Sequence, residues 1–176
     1  MNKHTPPINA IACISQNRGI GKDGGLLFSI PDDMKFFREK TMGAVIIMGR
    51  KTLESFAGGK PLRGRENVVL TRNREFSQDG VTAFCDFEKL KSHILNGGYG
   101  DKPIFIIGGA EIYTLFLPVT DILLLTEVKK TVDSDKYFPE YSKEFVKSAQ
   151  TETMFYQDLA YTFNEYLRKE RIGDTV

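Results

Sequence analysis

The chain has 176 residues, 41% of them hydrophobic and 27% charged, the balance of a globular protein long enough to bury its own core. Lys and Arg number 24 against 23 Asp and Glu, so the formal charge is +1, and no segment carries the basic excess of a nucleic-acid or anionic-membrane binder. Residues 1–7 lack the apolar centre of a signal peptide and no stretch approaches the roughly 20 apolar residues of a membrane span, which makes a cytoplasmic protein the expectation.

Residues 8–15 (INAIACIS) form a compact apolar run read as a buried strand. The Gly-rich stretch 17–25 (NRGIGKDGG) is expected to hold no regular structure and to be a mobile loop. Pro31 suits the first turn of a helix over residues 32–40. Asp32 and Asp33 lie at the positive end of its dipole, and Met34, Phe36 and Phe37 give it an apolar side. Residues 44–48 (AVIIM) form a second strand that leads into a short helix, and residues 67–70 (NVVL) form a third. A short fourth strand over residues 81–84 precedes a helix over 87–95. Residues 103–107 (PIFII) form another central strand, followed by a helix through Tyr113 and Phe116, and residues 122–128 (ILLLTEV) one more. Residues 152–156 and 161–168, parted by a turn near Asp158, read as an antiparallel hairpin. The alternation predicts an α/β fold with a mainly parallel central sheet, helices on both faces and an antiparallel C-terminal hairpin. With no repeat or linker, residues 8–170 are expected to form one domain, with a short extension at 1–7 and a tail at 171–176.

Cys13 and Cys85 lack CxxC spacing and so offer neither a disulfide framework nor a zinc site; free thiols are expected. Nucleophilic use of Cys13 would need a base, and His4 and His93 both lie in peripheral segments. No His/Cys/carboxylate cluster suggests a metal.

Three strand ends run straight into residues suited to a phosphate: Gly49, Arg50, Lys51 and Thr52; Thr71 and Arg72; and Gly108 with Gly109. Ligands of open α/β sheets bind off the carboxyl ends of the strands, where helix N-termini present free N–H groups. Singly, the first can equally be a loop of solvated cations and the third a plain turn. Three on one edge suit an extended ligand such as a dinucleotide. The chain has neither a GxGxxG nor a GxxxxGK[ST] fingerprint. Asp33, three and four residues from Phe36 and Phe37, can share a helix face with an aromatic ring. It then reads either as a partly desolvated carboxylate seeking a donor or as a residue that merely caps and charges the helix, a role expected of one, and only one, of Asp32 and Asp33.

These motifs, in this order, resemble the bacterial dihydrofolate reductases. The resemblance spans residues 8–168 and is carried by Ile11-Ala12-Cys13, Ile20-Gly21, Pro31-x-Asp33-x-x-x-Phe37 and Ile46 to Thr52. It continues through Pro61-Leu62-Arg63-Gly64-Arg65, Val69 to Arg72, Ile107 to Tyr113, Leu125-Thr126 and Asp135-x-x-Phe138-Pro139. It implies that fold family's sandwich and an NADPH-dependent enzyme of one-carbon metabolism. Such an enzyme reduces dihydrofolate to tetrahydrofolate, binds antifolate-like small molecules and acts as a monomer. It further implies that Asp33 pairs with the pterin 2-amino group and N3, supported by the Thr126 hydroxyl, and that Ile11, Met34 and Phe37 pack on the substrate rings. Arg65 would hold the glutamate α-carboxylate, with Lys60 a further tail contact. Arg50, Lys51, Thr52, Thr71 and Arg72 would hold the cofactor phosphates, with Gly49 and Leu70 beside them. Gly108, Gly109, Ala110, Glu111, Ile112 and Tyr113 would cradle the pyrophosphate and nicotinamide. Cys13, Ile107 and Tyr113 would border both ligands, and residues 17–27, with Ile20 and Gly21, would form the lid.

The sequence departs from the family in three places. Ala110 replaces the third glycine of a Gly-Gly-Gly turn, and the segment 56–60 that leads to Lys60 is slightly long. The third departure is the most telling. Leu27-Phe28 stands where the family carries Pro-Trp, and the chain has no tryptophan. Phe28 can pack on the nicotinamide but offers no N–H to a water. Two rival readings are a riboflavin-pathway pyrimidine reductase of the same fold and a nucleotide-binding module without turnover. Asp33 with Arg65 suits folate better than the first, and retention of Asp33 and Thr126 speaks against the second.

Overall fold

Successive side chains of a strand point to opposite faces, so each apolar run must bury two faces at once. The structure, a computed structural model, describes residues 5–172; His4, the rest of residues 1–4 and residues 173–176 lie outside the described residues. Its elements run β1 (Ile8–Ile14), β2 (Gly19–Lys22), β3 (Gly25–Leu26), α1 (Pro31–Thr41), β4 (Val45–Gly49), α2 (Arg50–Ser55), β5 (Glu66–Leu70), β6 (Val81–Phe84), α3 (Phe87–Leu95), β7 (Ile104–Gly108), α4 (Ala110–Phe116), β8 (Ile122–Val128), β9 (Lys136–Tyr137), β10 (Phe145–Gln150), β11 (Met154–Tyr156) and β12 (Leu159–Arg168).

The main sheet has the order β10-β12-β8-β1-β7-β4-β5-β6, with β11 also paired to β12. From β8 to β6 all neighbours are parallel, whereas β12 is antiparallel to β8, β10 and β11. Strand alternation sorts the core into two layers. Ile8, Ala10, Val45, Ile47, Ile104, Ile106, Leu123 and Leu125 face α3 and α4, meeting Leu90, Ile94 and Phe116. Ile11, Ile46, Met48, Phe105 and Leu124 face α1 and α2, meeting Phe36, Phe37 and Leu53. The central residues Val45 to Met48 are wholly buried on both faces, and that stretch of β4 carries no polar side chain.

Two expectations need correction. Residues 17–25 are not an irregular loop: β2 and β3 form a hairpin that β9 extends into a separate three-stranded sheet. Asp23 and Gly24 both take positive φ, 52° and 80°, the geometry of a two-residue type I′ turn whose twist matches a hairpin. At Gly19 a Cβ would lie 2.0 Å from Ser134 Oγ, so the glycine lets the hairpin close onto residue 134. The C-terminal portion is also more than a hairpin. β10 pairs with the far side of β12, an edge strand in which only Phe145 is buried and whose apolar signal is correspondingly faint.

Candidate active site

The carboxyl ends of β1, β7, β4 and β5 lie side by side, and the candidate residues gather along them. Asp33 enters from α1. Its Oδ1 accepts a 2.6 Å hydrogen bond from the Thr126 hydroxyl on β8, and Thr126 in turn is the register partner of Cys13 on β1. Burial pushes the Asp33 carboxyl above the ordinary carboxylate range, and the Thr126 hydrogen bond opposes that rise in part. Asp33 therefore sits as a partly desolvated carboxylate with one oxygen accepting from a donor, the first of its two sequence readings. Neither aspartate caps α1: the N-cap is Ile30, with no side-chain cap bond. Both are acidic residues of the first turn.

The apolar side of α1 is only partly covered. Phe36 and Phe37 are half-buried against Ile11 and its neighbours, Phe36 stacks 4.6 Å from Phe163, and Met34 is 51% exposed. A helix face left open beside a partly buried carboxylate is suited to receive a flat apolar ligand with a polar edge. Cys13 and Phe28 pack together on the Ile30, Val128 and Tyr161 cluster. Burial, and next the Asp33 charge, hold the Cys13 thiol far above its usual value, so it is no nucleophile at neutral pH.

The three phosphate-suited segments do converge. A Cβ on Gly109 would lie 3.8 Å from Thr52 Oγ1, which places the start of α4 against the start of α2. Arg72 beyond β5 reaches Glu111 of α4 at 3.4 Å, both side chains being highly exposed. The pairing of β7 with β4 skips a residue between Ile106 and Gly108, leaving Ile107 half-buried in an irregularity that ends the ladder at the site. The Gly108–Gly109 peptide is cis. Gly108 has φ 111°, and a Cβ there would meet the Tyr113 ring at 3.0 Å, so glycine is required on both counts. Tyr113 is itself pinned beneath this turn, its hydroxyl donating to the Ile11 carbonyl at 2.7 Å. Gly49 is as confined, 3.3 Å from Ile112 by the same measure, with Leu70 its partner across β4 and β5. Arg50 pairs with Glu54 one turn on, and Lys51 is exposed.

Arg65 lies apart from that edge, at the C-terminal end of α1. It donates to Thr41 Oγ1 at 2.9 Å, to the Arg63 carbonyl at 2.8 Å and to the Arg38 carbonyl at 3.3 Å. A guanidinium has five N–H donors, so two remain for a ligand. Lys60 is exposed after the short 3-10 turn Ala57–Gly59, and no hydrogen bond or ion pair among the described residues ties it to the other candidates. Ile20 packs on the core, and Gly21 is buried between Leu26 and Lys136.

Sequence reasoning missed the contacts that hold the β2–β3 hairpin. Lys22 pairs with Asp133, and the Asp23 amide donates to Asp135 Oδ2 at 3.0 Å. The Asp23-Gly24 dipeptide was the available signal for the hairpin. It also missed Tyr161, which is fully buried and donates to Asp32 Oδ2 at 2.9 Å.

Among the described residues no helix is long and apolar enough to cross a membrane. A family model described as dihydrofolate reductase matches residues 7–168. The chain is 35% identical over 164 residues to a dihydrofolate reductase of Neisseria gonorrhoeae, covering 92% of this chain and 98% of that one. It is 32% identical over 169 residues to a type A13 dihydrofolate reductase of Escherichia coli, covering 96% and 99%. Among solved structures it is similar to a dihydrofolate reductase from Enterococcus faecalis complexed with NADP(H) and RAB-propyl. That match has a TM-score of 0.80 and 28% identity over 93% of this chain and 96% of the other.

Proposed function

This chain belongs to the dihydrofolate reductase family, an NADPH-dependent oxidoreductase that reduces dihydrofolate to tetrahydrofolate, and from that premise we propose the parts its own residues play. The observation that carries the reading is the partly buried Asp33–Thr126 pair, at the open face of α1 and beside the glycine cradle.

Asp33 accepts from the 2-amino group and N3 of the pterin, whose paired N–H donors match a carboxylate with a free oxygen. The pterin and benzoyl rings lie on Ile11, Met34 and Phe37, and the two remaining Arg65 donors take the tail carboxylate. Lys60 offers a further cation for that tail from the exposed surface.

The residues present fit NADPH. No side chain stands on Gly49, Gly108 or Gly109 to block a pyrophosphate, and Arg50, Lys51, Thr52, Thr71 and Arg72 supply the cations and hydroxyls that phosphates need. Arg72, exposed and paired only at 3.4 Å, is suited to the extra 2′-phosphate. Ala110, Glu111, Ile112 and Tyr113 border the same turn, with Leu70, Ile107, Cys13, Ile20 and Gly21 around the ring. NADPH, when bound, supplies the hydride that reaches C6 of the substrate. Asp33 favours the protonatable form of the pterin and stabilises positive charge on it, while a water admitted by the lid protonates N5. The lid of β2 and β3 excludes bulk water, and Phe28 packs where an indole would add an N–H.

We take residues 8–170 as one catalytic domain, acting as a cytoplasmic monomer on small molecules, antifolates among them, without nucleic acid or a membrane. Asp33→Asn tests the central assignment. The variant is expected to fold and bind NADPH but to lose about a hundredfold or more in kcat at neutral pH. Near-normal turnover would remove Asp33 from its role.

A further inference from the structure

The first turn of α1 carries a second carboxylate that the chemistry above does not use. Asp32 Oδ2 accepts from the Tyr161 hydroxyl at 2.9 Å, while its neighbour Asp33 accepts from Thr126 at 2.6 Å. The two donors stand on paired strands: Thr126 on β8 faces Phe163 on β12, and Tyr161 faces Val128 two residues along. They are therefore diagonal neighbours on one face of the sheet. Tyr161 is fully buried, with Phe163 edge-on at 5.8 Å. Consecutive helix residues point about 100° apart. Two hydrogen bonds from residues 32 and 33 to two different strands thus fix both the position and the rotation of a helix start that has no cap of its own.

We propose that Asp32 and Tyr161 are a positioning pair for the reaction, in which the Tyr161 hydroxyl holds the Asp32 carboxylate so that α1 presents Asp33 to the pterin and the Asp32 charge is engaged away from it. The proposal rests on the reading of Asp33 given above.

The titratable groups facing Asp33 are Asp32 beside it on α1, Cys13 on β1, Tyr113 on α4 and Tyr161 on β12. Burial holds the Cys13 thiol and the Tyr113 hydroxyl well above their usual values. The Tyr161 hydroxyl is pushed up to about 12 by burial, then by Asp32 and Asp33. All three are uncharged at neutral pH. On α1, Lys35 and Glu39 lie 3.9 Å apart on the exposed side of the helix. Among the described residues neither aspartate has an ion-pair partner, so no paired cation offsets a change in where the Asp32 carboxylate sits.

The test compares wild type, Tyr161→Phe, Asp32→Asn and Asp33→Asn, reading kcat, KM for dihydrofolate, the NADPH Kd and the pH dependence of kcat/KM. Tyr161→Phe keeps the ring in the core and removes one donor. It is expected to lower kcat/KM about fivefold with the NADPH Kd unchanged. It should also move upward the pH midpoint that Asp33→Asn abolishes, because a nearby like charge then disfavours the ionised Asp33. Asp32→Asn keeps an acceptor for Tyr161 and deletes the charge, so the same midpoint should move downward.

Midpoints left at the wild-type value, or moved in the same direction in both variants, overturn the proposal; a general loosening of α1 would give the second pattern. If Tyr161→Phe fails to fold, Asp32→Asn decides alone, and an unmoved midpoint is the overturning result. If Asp33→Asn keeps both its turnover and its titration, the reading of Asp33 itself fails, and that outcome is distinct from all of these.

Discussion

At Asp33, stability and chemistry pull in opposite directions. Burial raises its carboxyl above the ordinary range, so the folded protein holds that proton more tightly than the unfolded chain does. A group of this kind contributes fully to stability below the unfolded carboxylate value of about 4, and its contribution is lost as pH rises through the folded value. Asp33→Asn keeps an oxygen to accept from Thr126 and deletes the charge. It is therefore expected to be more stable than wild type at neutral pH by about 1 kcal/mol, or about 2–4 °C in melting temperature. Melting curves taken down to about pH 3 should show that gain vanish as Asp33 protonates in both states. The pairing of Asp33 with Thr126 was legible only through family resemblance, since 93 residues separate them. Its partner strut was not legible at all. Tyr161 meets Asp32 because β12 pairs antiparallel with β8 in one particular register, which residue spacing does not encode.

The elements that the sequence made plain are those whose chemistry is local. The buried strands β1, β4, β5, β7 and β8 announce themselves as short apolar runs because both faces are covered. β10, with one buried residue in six, has no such pattern and is recognisable only from its partner. The β2–β3 hairpin was misread as a loop because its glycines were taken as breakers, when Gly24 serves a type I′ turn and Gly19 a close approach to Ser134. On the proposed reading, cofactor binding depends most on the turn after β7. Ala at position 108 would have to take φ 111° and would bring a methyl to 3.0 Å from the Tyr113 ring. Gly108→Ala should lower stability by about 1–3 kcal/mol in chemical denaturation. It should also weaken NADPH binding more than tenfold, by the order of the strain passed to the pyrophosphate site. The binding can be read from NADPH emission, which no tryptophan of this chain overlaps.

For the whole molecule, the parallel part of the main sheet, its two helical layers and their chain order followed from periodicity and from the alternation of strands with helices. The β3-β2-β9 sheet and the edge strand β10 did not. The convergence of three phosphate-suited strand ends followed from the rule that parallel sheets bind ligands at their carboxyl edge. What that rule does not supply is which dinucleotide binds. On the proposed reading the choice rests on charge at the far end of the edge, where Arg72 is exposed beside Glu111. Arg72→Ala is expected to cut the preference of kcat/KM for NADPH over NADH by about tenfold to a hundredfold, the size of one charge-assisted contact. Turnover at saturating NADPH should change little.

The most direct measurement is the fall in NADPH absorbance with and without dihydrofolate, run beside NADH and repeated for Asp33→Asn. The account predicts consumption that requires dihydrofolate, favours NADPH over NADH and falls about a hundredfold or more in the Asn variant. NADPH consumption that ignores dihydrofolate, or an Asn variant as fast as wild type at neutral pH, would contradict it.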